Sequence, residues 1–136
     1  MSLNVGDVFR AINPPLSGSS PHFHLVVQKT QEGLVVVTYT TTNLEEARRR
    51  CQRVEKIKLS HIEPETLILT GPNDCDSFSE TCAINCNHVQ MLEETYYEWS
   101  PAFKRLSPIK NPDLIVKIRE AIKKSPVVEG RIIKLL

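Results

Sequence analysis

The chain has 136 residues, with 17 Lys plus Arg against 16 Asp plus Glu and a formal charge of +1. At 40% hydrophobic and 24% charged residues it has the composition of a globular protein able to bury a core without disulfides, which excludes wholesale disorder. The balanced charge excludes a nucleic-acid coat acting through a global basic field, and apolar runs as short as residues 34–37 exclude a span of ~18 apolar residues. The first residues carry neither the basic patch nor the apolar segment of a secretory signal, so the expected location is the cytoplasm, with no membrane partner.

Residues 5–11 read as a first strand, with Gly6-Asp7 bending into it. Residues 13–21 are turn chemistry, rich in Pro, Gly and Ser, and predict a polar loop. Strand character resumes over 22–30. Gln31-Glu32-Gly33 is a hairpin signal, and residues 34–42, dominated by Val, Tyr and Thr, form the strongest strand in the sequence. Asn43 is a helix cap for residues 44–53, which are rich in Glu, Ala and Arg. Alternation over 54–59 predicts a half-exposed strand, with Lys56 and Lys58 outward. A strand over 66–69 precedes the turn Gly71-Pro72-Asn73-Asp74, and another strand is expected over 81–91. Residues 96–106 fit no single period. Asn111-Pro112 starts a helix whose Leu114, Ile115, Ile118, Ala121 and Ile122 share one face. Pro126 ends it, and the apolar tail 127–136 is expected to dock, as a strand. Five to seven short strands, an internal helix and a C-terminal helix predict a mainly β protein. Its expected form is one domain over residues 1–136, a small curled antiparallel barrel with helical decoration.

Cys51, Cys75, Cys82 and Cys86 lack the tight two-residue spacing that marks a zinc knuckle, and read as buried thiols. A metal site built from Cys82, Cys86 and His88 or His61 is the alternative. Tyr96, Tyr97 and Trp99 concentrate the aromatic residues. They suit either packing of a helix on the barrel or stacking of nucleic-acid bases.

Several of these features occur in a recognisable order. Gly6-Asp7-Val8-Phe9 begins a strand. A loop rich in Gly and Ser follows, then Pro21-His22-Phe23-His24-Leu25-Val26-Val27, a hairpin at Gly33, and a Val-rich strand ending in Thr40-Thr41-Thr42. This order, over residues 5 to 42, resembles the MazF/PemK family of toxin endoribonucleases from bacterial toxin–antitoxin pairs. The helix from Pro112 fits the family's C-terminal helix. The resemblance implies an SH3-like barrel, a homodimer, metal-independent cleavage of single-stranded RNA without a cofactor, and an antitoxin protein that covers the groove. By position the family's catalytic Thr falls on Thr41. Its Arg falls on His22, where this chain has no guanidinium, so either the chemistry has moved to histidine or catalysis is lost.

RNA cut without metal uses its own 2′-hydroxyl as nucleophile, and imidazoles suit the two proton transfers. His22 and His24 are two apart and share one face of a strand, a candidate acid–base couple. The same two residues also fit ordinary surface histidines, or a zinc pair. Thr41 is a candidate hydroxyl donor to a phosphate oxygen. Arg48, Arg49, Arg50 and Arg53 form the sharpest basic cluster. Arg49 and Arg53 share one helix face, Arg50 pairs with Glu46 at i,i+4, and Lys56 extends the patch. Arg48, Arg49, Arg53 and Lys56 are the candidate RNA-backbone contacts, or a solvated helix face. Pairing across the Gly33 hairpin should set residues whose numbers sum to about 64 opposite one another. That puts His22 by Thr42 and His24 by Thr40, with Thr41 on the other face unless the strand bulges. The rival to a ribonuclease is a non-catalytic barrel that binds nucleic acid or a protein partner.

Overall fold

A computed structural model describes residues 2–136. Three strands near the N-terminus carry the architecture: β1 (Val8–Asn13), β2 (Gly18–Lys29) and β3 (Leu34–Thr41). Pro14 and Pro15 cannot continue a β ladder, and they begin instead a single helical turn, α1 (Pro14–Ser17), between β1 and β2. The polar loop expected over 13–21 is therefore that turn plus the exposed start of β2. Asn43 caps α2 (Leu44–Val54), its side chain accepting the Glu46 amide at 3.2 Å. Then come β4 (Leu67–Thr70), β5 (Cys82–Asn85), β6 (Gln90–Glu93), α3 (Glu94–Glu98) and β7 (Lys104–Leu106). The chain ends with α4 (Pro112–Lys123) and the short α5 (Gly130–Ile133).

All strand pairs are antiparallel, in the order β4-β5-β3-β2-β1-β7, with β6 also paired to β3. Among the described residues no ladder joins β4 to β7, so the seven-stranded sheet is open. The single strand expected over 81–91 is two. Asn85 Oδ1 accepts the Asn87 amide at 3.0 Å and the Asn85 carbonyl accepts the His88 amide at 3.0 Å, a turn that breaks the strand. β5 and β6 consequently pair with different halves of β3: Thr40 and Thr41 face β5, and residues 34–37 face β6.

Apolar side chains cover both faces of the central strands. On one face Val8, Leu25, Val27, Val36 and Ile84 pack with Leu114, Ile118 and Ile122 of α4. On the other, Phe9, Ala11, Val26, Val35 and Val37 pack with Leu3 and Tyr97. The C-terminal tail docks through buried Ile132, as one helical turn rather than a strand.

Two backbone features depart from the expected pattern. First, β2 and β3 pair with residue numbers summing to 64 at Lys29↔Val35 and Gln28↔Val36, but to 63 from Val26↔Val37 to His24↔Tyr39. Val27 is the extra residue of a β-bulge. Its carbonyl, displaced from the ladder, accepts a 2.7 Å hydrogen bond from Arg119 Nε of α4. Second, residues 54–59 are not a strand. The chain leaves α2 through Lys56 in the left-handed region, at φ +61°. The Ile57 amide reaches the Gln52 carbonyl at 2.8 Å and the Lys56 amide the Arg53 carbonyl at 3.2 Å, the paired bonds of a helix stop. Helix termination thus overrides the alternation of 54–59.

Both features have measurable consequences. Arg119→Ala leaves the bulge carbonyl without its charged donor and should lower the unfolding free energy by about 1.5–3 kcal/mol. Lys56→Gly relieves the left-handed conformation and should raise it by about 0.5–1 kcal/mol. Urea titrations of both variants check the two opposite signs.

Candidate functional site

The bulge sets which side chains meet. In register 63, His24 lies opposite Tyr39, and paired residues of an antiparallel ladder point to the same face. Extending by two along each strand brings His22 and Thr41 to that face as well. The second apolar core occupies it up to Val26 and Val37 and gives way to these polar residues at the strand ends. There α2 starts, so Asn43, Glu46 and Arg50 close a cavity of about 200 Å³ together with His22, Tyr39 and Thr41. Ser17 of α1, Ala47 of α2 and Asn85 of β5 complete its wall.

Hydrogen bonds orient each group. A carbonyl only accepts, so the 3.2 Å contact of His22 Nδ1 with the Thr40 carbonyl makes Nδ1 the protonated nitrogen. In the neutral ring Nε2 then carries the lone pair. Thr41 Oγ1 accepts the Asn43 amide at 3.1 Å, which leaves its hydroxyl hydrogen to donate. Arg50 Nη2 meets Glu46 Oε1 at 2.5 Å, and the other Glu46 oxygen accepts Asn43 Nδ2 at 3.0 Å. Tyr39 stands among three imidazoles. Its ring lies 5.3 Å from His22, 6.3 Å from His24 and 6.1 Å from His88, and its hydroxyl is 3.3 Å from His88 Nδ1. Burial pushes the phenol's pKa up, so Tyr39 is a neutral hydroxyl at physiological pH. Burial, and then the Arg50 charge, push His88 down.

His24 does not join the solvent-open group. It is fully buried, stacked on Phe9 at 5.1 Å between ring centroids, because the second core covers the face expected to be exposed. Its Nδ1 donates to the His22 carbonyl at 2.9 Å, and Ser17 Oγ lies 3.4 Å from Nε2. Burial is the main cause that lowers its pKa to about 4.

The basic cluster divides. Arg50, absent from the candidate RNA contacts, enters the cavity. Arg48 is held by Glu45 and Glu63. Arg49, Arg53 and Lys56 are exposed, with no ion-pair partner among the described residues. Arg50 and Glu46 were visible as an i,i+4 pair. Their relation to Thr41 follows only from the Asn43 cap, which turns the helix across the strand end. Tyr39 was signalled by its place two residues before Thr41.

All four cysteines are free and buried, and burial raises the thiol of Cys82 to about 11. Among the described residues no cluster of three or more His, Cys, Asp or Glu side chains is placed to hold a metal ion. No helix among them is long and apolar enough to cross a membrane. No family model matches the chain, and no curated protein matches it.

The buried imidazole makes stability depend on pH. The folded state favours neutral His24, so its contribution is complete above pH 6.5 and is lost as the pH falls toward 4. The stake is on the order of 3 kcal/mol. The urea midpoint should fall steadily over that window. His24→Phe should flatten most of the slope, with the remainder due to His88. An unchanged slope in the variant would place the acid sensitivity elsewhere.

Proposed function

We propose that the protein is a metal-independent endoribonuclease of the MazF/PemK type acting on single-stranded RNA. The observation that carries the reading is the convergence of His22, Thr41, Glu46 and Arg50 on one cavity. These are an imidazole, a hydroxyl donor, a carboxylate and a guanidinium, the groups that transesterification of a phosphodiester needs. In this reading Glu46 takes the proton of the 2′-hydroxyl, whose oxygen attacks phosphorus. Arg50 and Thr41 hold the non-bridging oxygens as negative charge grows on them. His22, protonated, gives the Nε2 proton to the departing 5′-oxygen, and the products are a 2′,3′-cyclic phosphate and a free 5′-hydroxyl. Glu46 thereby replaces His24 as the second proton-transfer group, and Arg50 supplies from α2 the guanidinium that position 22 lacks. Arg49, Arg53 and Lys56 track the RNA backbone beyond the cavity.

The same reading carries its family's other features. The open sheet is the counterpart of the family's SH3-like barrel, left unclosed between β4 and β7. The chain acts as a cytoplasmic homodimer, and an antitoxin protein covers the groove. Histidine in place of the family's arginine favours a second reading, in which the cavity binds a phosphodiester without cutting it and the protein is a non-catalytic nucleic-acid or protein-binding module.

Incubation of a mixed-sequence single-stranded RNA with the protein and a chelator tests the proposal. The wild type should cut it and leave cyclic phosphate ends. His22→Ala and Glu46→Gln should each slow cleavage by about 100- to 10,000-fold, and Arg50→Ala by about 100- to 1,000-fold. Binding without cleavage, sensitive to salt and lost in Arg50→Ala, selects the non-catalytic reading. Neither binding nor cleavage rejects both.

A further inference from the structure

The aromatic cluster near the C-terminal half of the sheet is not used by the site above. Tyr97 packs inside the second core, but Trp99 is 87% exposed and Tyr96 41%. Packing, the commoner role for such residues, therefore accounts for Tyr97 and for the edge of Tyr96 that meets it at 5.3 Å between ring centroids, but not for Trp99. Tyr96 and Trp99 line a groove of about 440 Å³ with Ile12, Pro14 and Pro101, larger than the cavity at His22. A tryptophan left in water beside a preformed apolar groove offers a flat face to a planar ligand.

Two placements identify that ligand. The first is continuity with the cavity. Pro14 in the groove and Ser17 in the cavity are the two ends of α1, a single turn rising about 5 Å. The second is charge. Arg10 and Ile12 point outward on β1, alternating with buried Phe9, Ala11 and Asn13. Arg10 is therefore about 7 Å from Ile12 on the same face, and it pairs across the ladder with Lys104. Both cations are exposed and have no ion-pair partner among the described residues. The surface thus runs from the Arg50 cavity to an aromatic groove to a second cationic pair. That sequence of chemistry matches phosphate, base, phosphate along an unpaired strand.

We propose that the groove between α1 and α3 is a base-stacking subsite, in which an unpaired RNA base next to the phosphate held at His22 and Arg50 lies against Trp99, with the next phosphate at Arg10 and Lys104. The inference rests on the RNA reading above and adds to it a requirement for an unpaired flanking base. It also explains why a duplex, whose bases are stacked on each other, would be a poor substrate.

Trp99 is the sole tryptophan of the chain, so its emission reports on the groove directly. The probe is a short single-stranded 2′-deoxy oligonucleotide, which lacks the attacking hydroxyl and stays intact. Its titration should quench Trp99 saturably, and added salt should reverse the quenching. Binding of a labelled copy should weaken about 5- to 100-fold in Trp99→Ala and recover in Trp99→Phe. The side chain is exposed, so the alanine variant keeps the fold. If RNA is cut, Trp99→Ala should raise KM and leave kcat within a few-fold. Oligonucleotide binding with unchanged Trp99 emission and no loss in Trp99→Ala would overturn the stacking subsite while leaving the RNA reading intact. No binding by the wild type would overturn both. Emission that changes with protein concentration alone would put a second copy of the chain in the groove and overturn the subsite.

Discussion

One extra residue in the β2–β3 ladder governs the chemistry of this molecule. Without the bulge at Val27, His24 would oppose Thr40, and Thr41 would point away from both histidines. With it, His22, Tyr39 and Thr41 share a face. A bulge is tolerated where its displaced polar group finds another partner, and here Arg119 supplies one from the C-terminal helix. The helix that closes the first core is therefore also the part that holds the site's register. Packing on one face of the sheet and polar alignment on the other are set by the same contact.

The second constraint is the burial of histidine. His24 sits among Phe9, Tyr39 and the Val26 level of the second core, with its ring nitrogens engaged by the His22 carbonyl and Ser17. Its Nδ1 fixes the backbone of residue 22, and the His22 ring in turn grips the Thr40 carbonyl on the next strand. The two imidazoles form a stepwise link from the core to the cavity rim. The inner one is neutral and structural, and the outer one has its tautomer set by the strand beside it. The same residue type thus does different work at positions two apart, because the core ends between them.

Much of the fold was legible locally. Strand propensity, the Gly33 hairpin and the two Asn caps locate β1 to β3, α2 and α4 to within a few residues. What local sequence could not show was fixed over distance. The hairpin register is correct beside the turn and wrong past Val27, because the bulge is stabilised by a residue 92 positions away. His24 was read as exposed, because the core on its face is completed by Leu3 and Tyr97, two residues 94 positions apart in the chain. The continuous strand expected at 81–91 was broken by side-chain hydrogen bonds of Asn85, and the strand at 54–59 by the helix stop at Lys56. Arg50 was seen as part of a basic run, but singling it out from Arg48 and Arg49 required the angle at which α2 leaves β3.

In the proposed mechanism the cavity at His22, Thr41 and Arg50 is built to hold a phosphodiester. A crystal structure with an uncleavable 2′-deoxy oligonucleotide tests that most directly. One phosphate is expected in the cavity, its non-bridging oxygens within hydrogen-bond distance of Thr41 Oγ1 and the Arg50 guanidinium, and its 5′-oxygen next to His22 Nε2. An oligonucleotide bound elsewhere on the surface, with no phosphate between these three side chains, would contradict it.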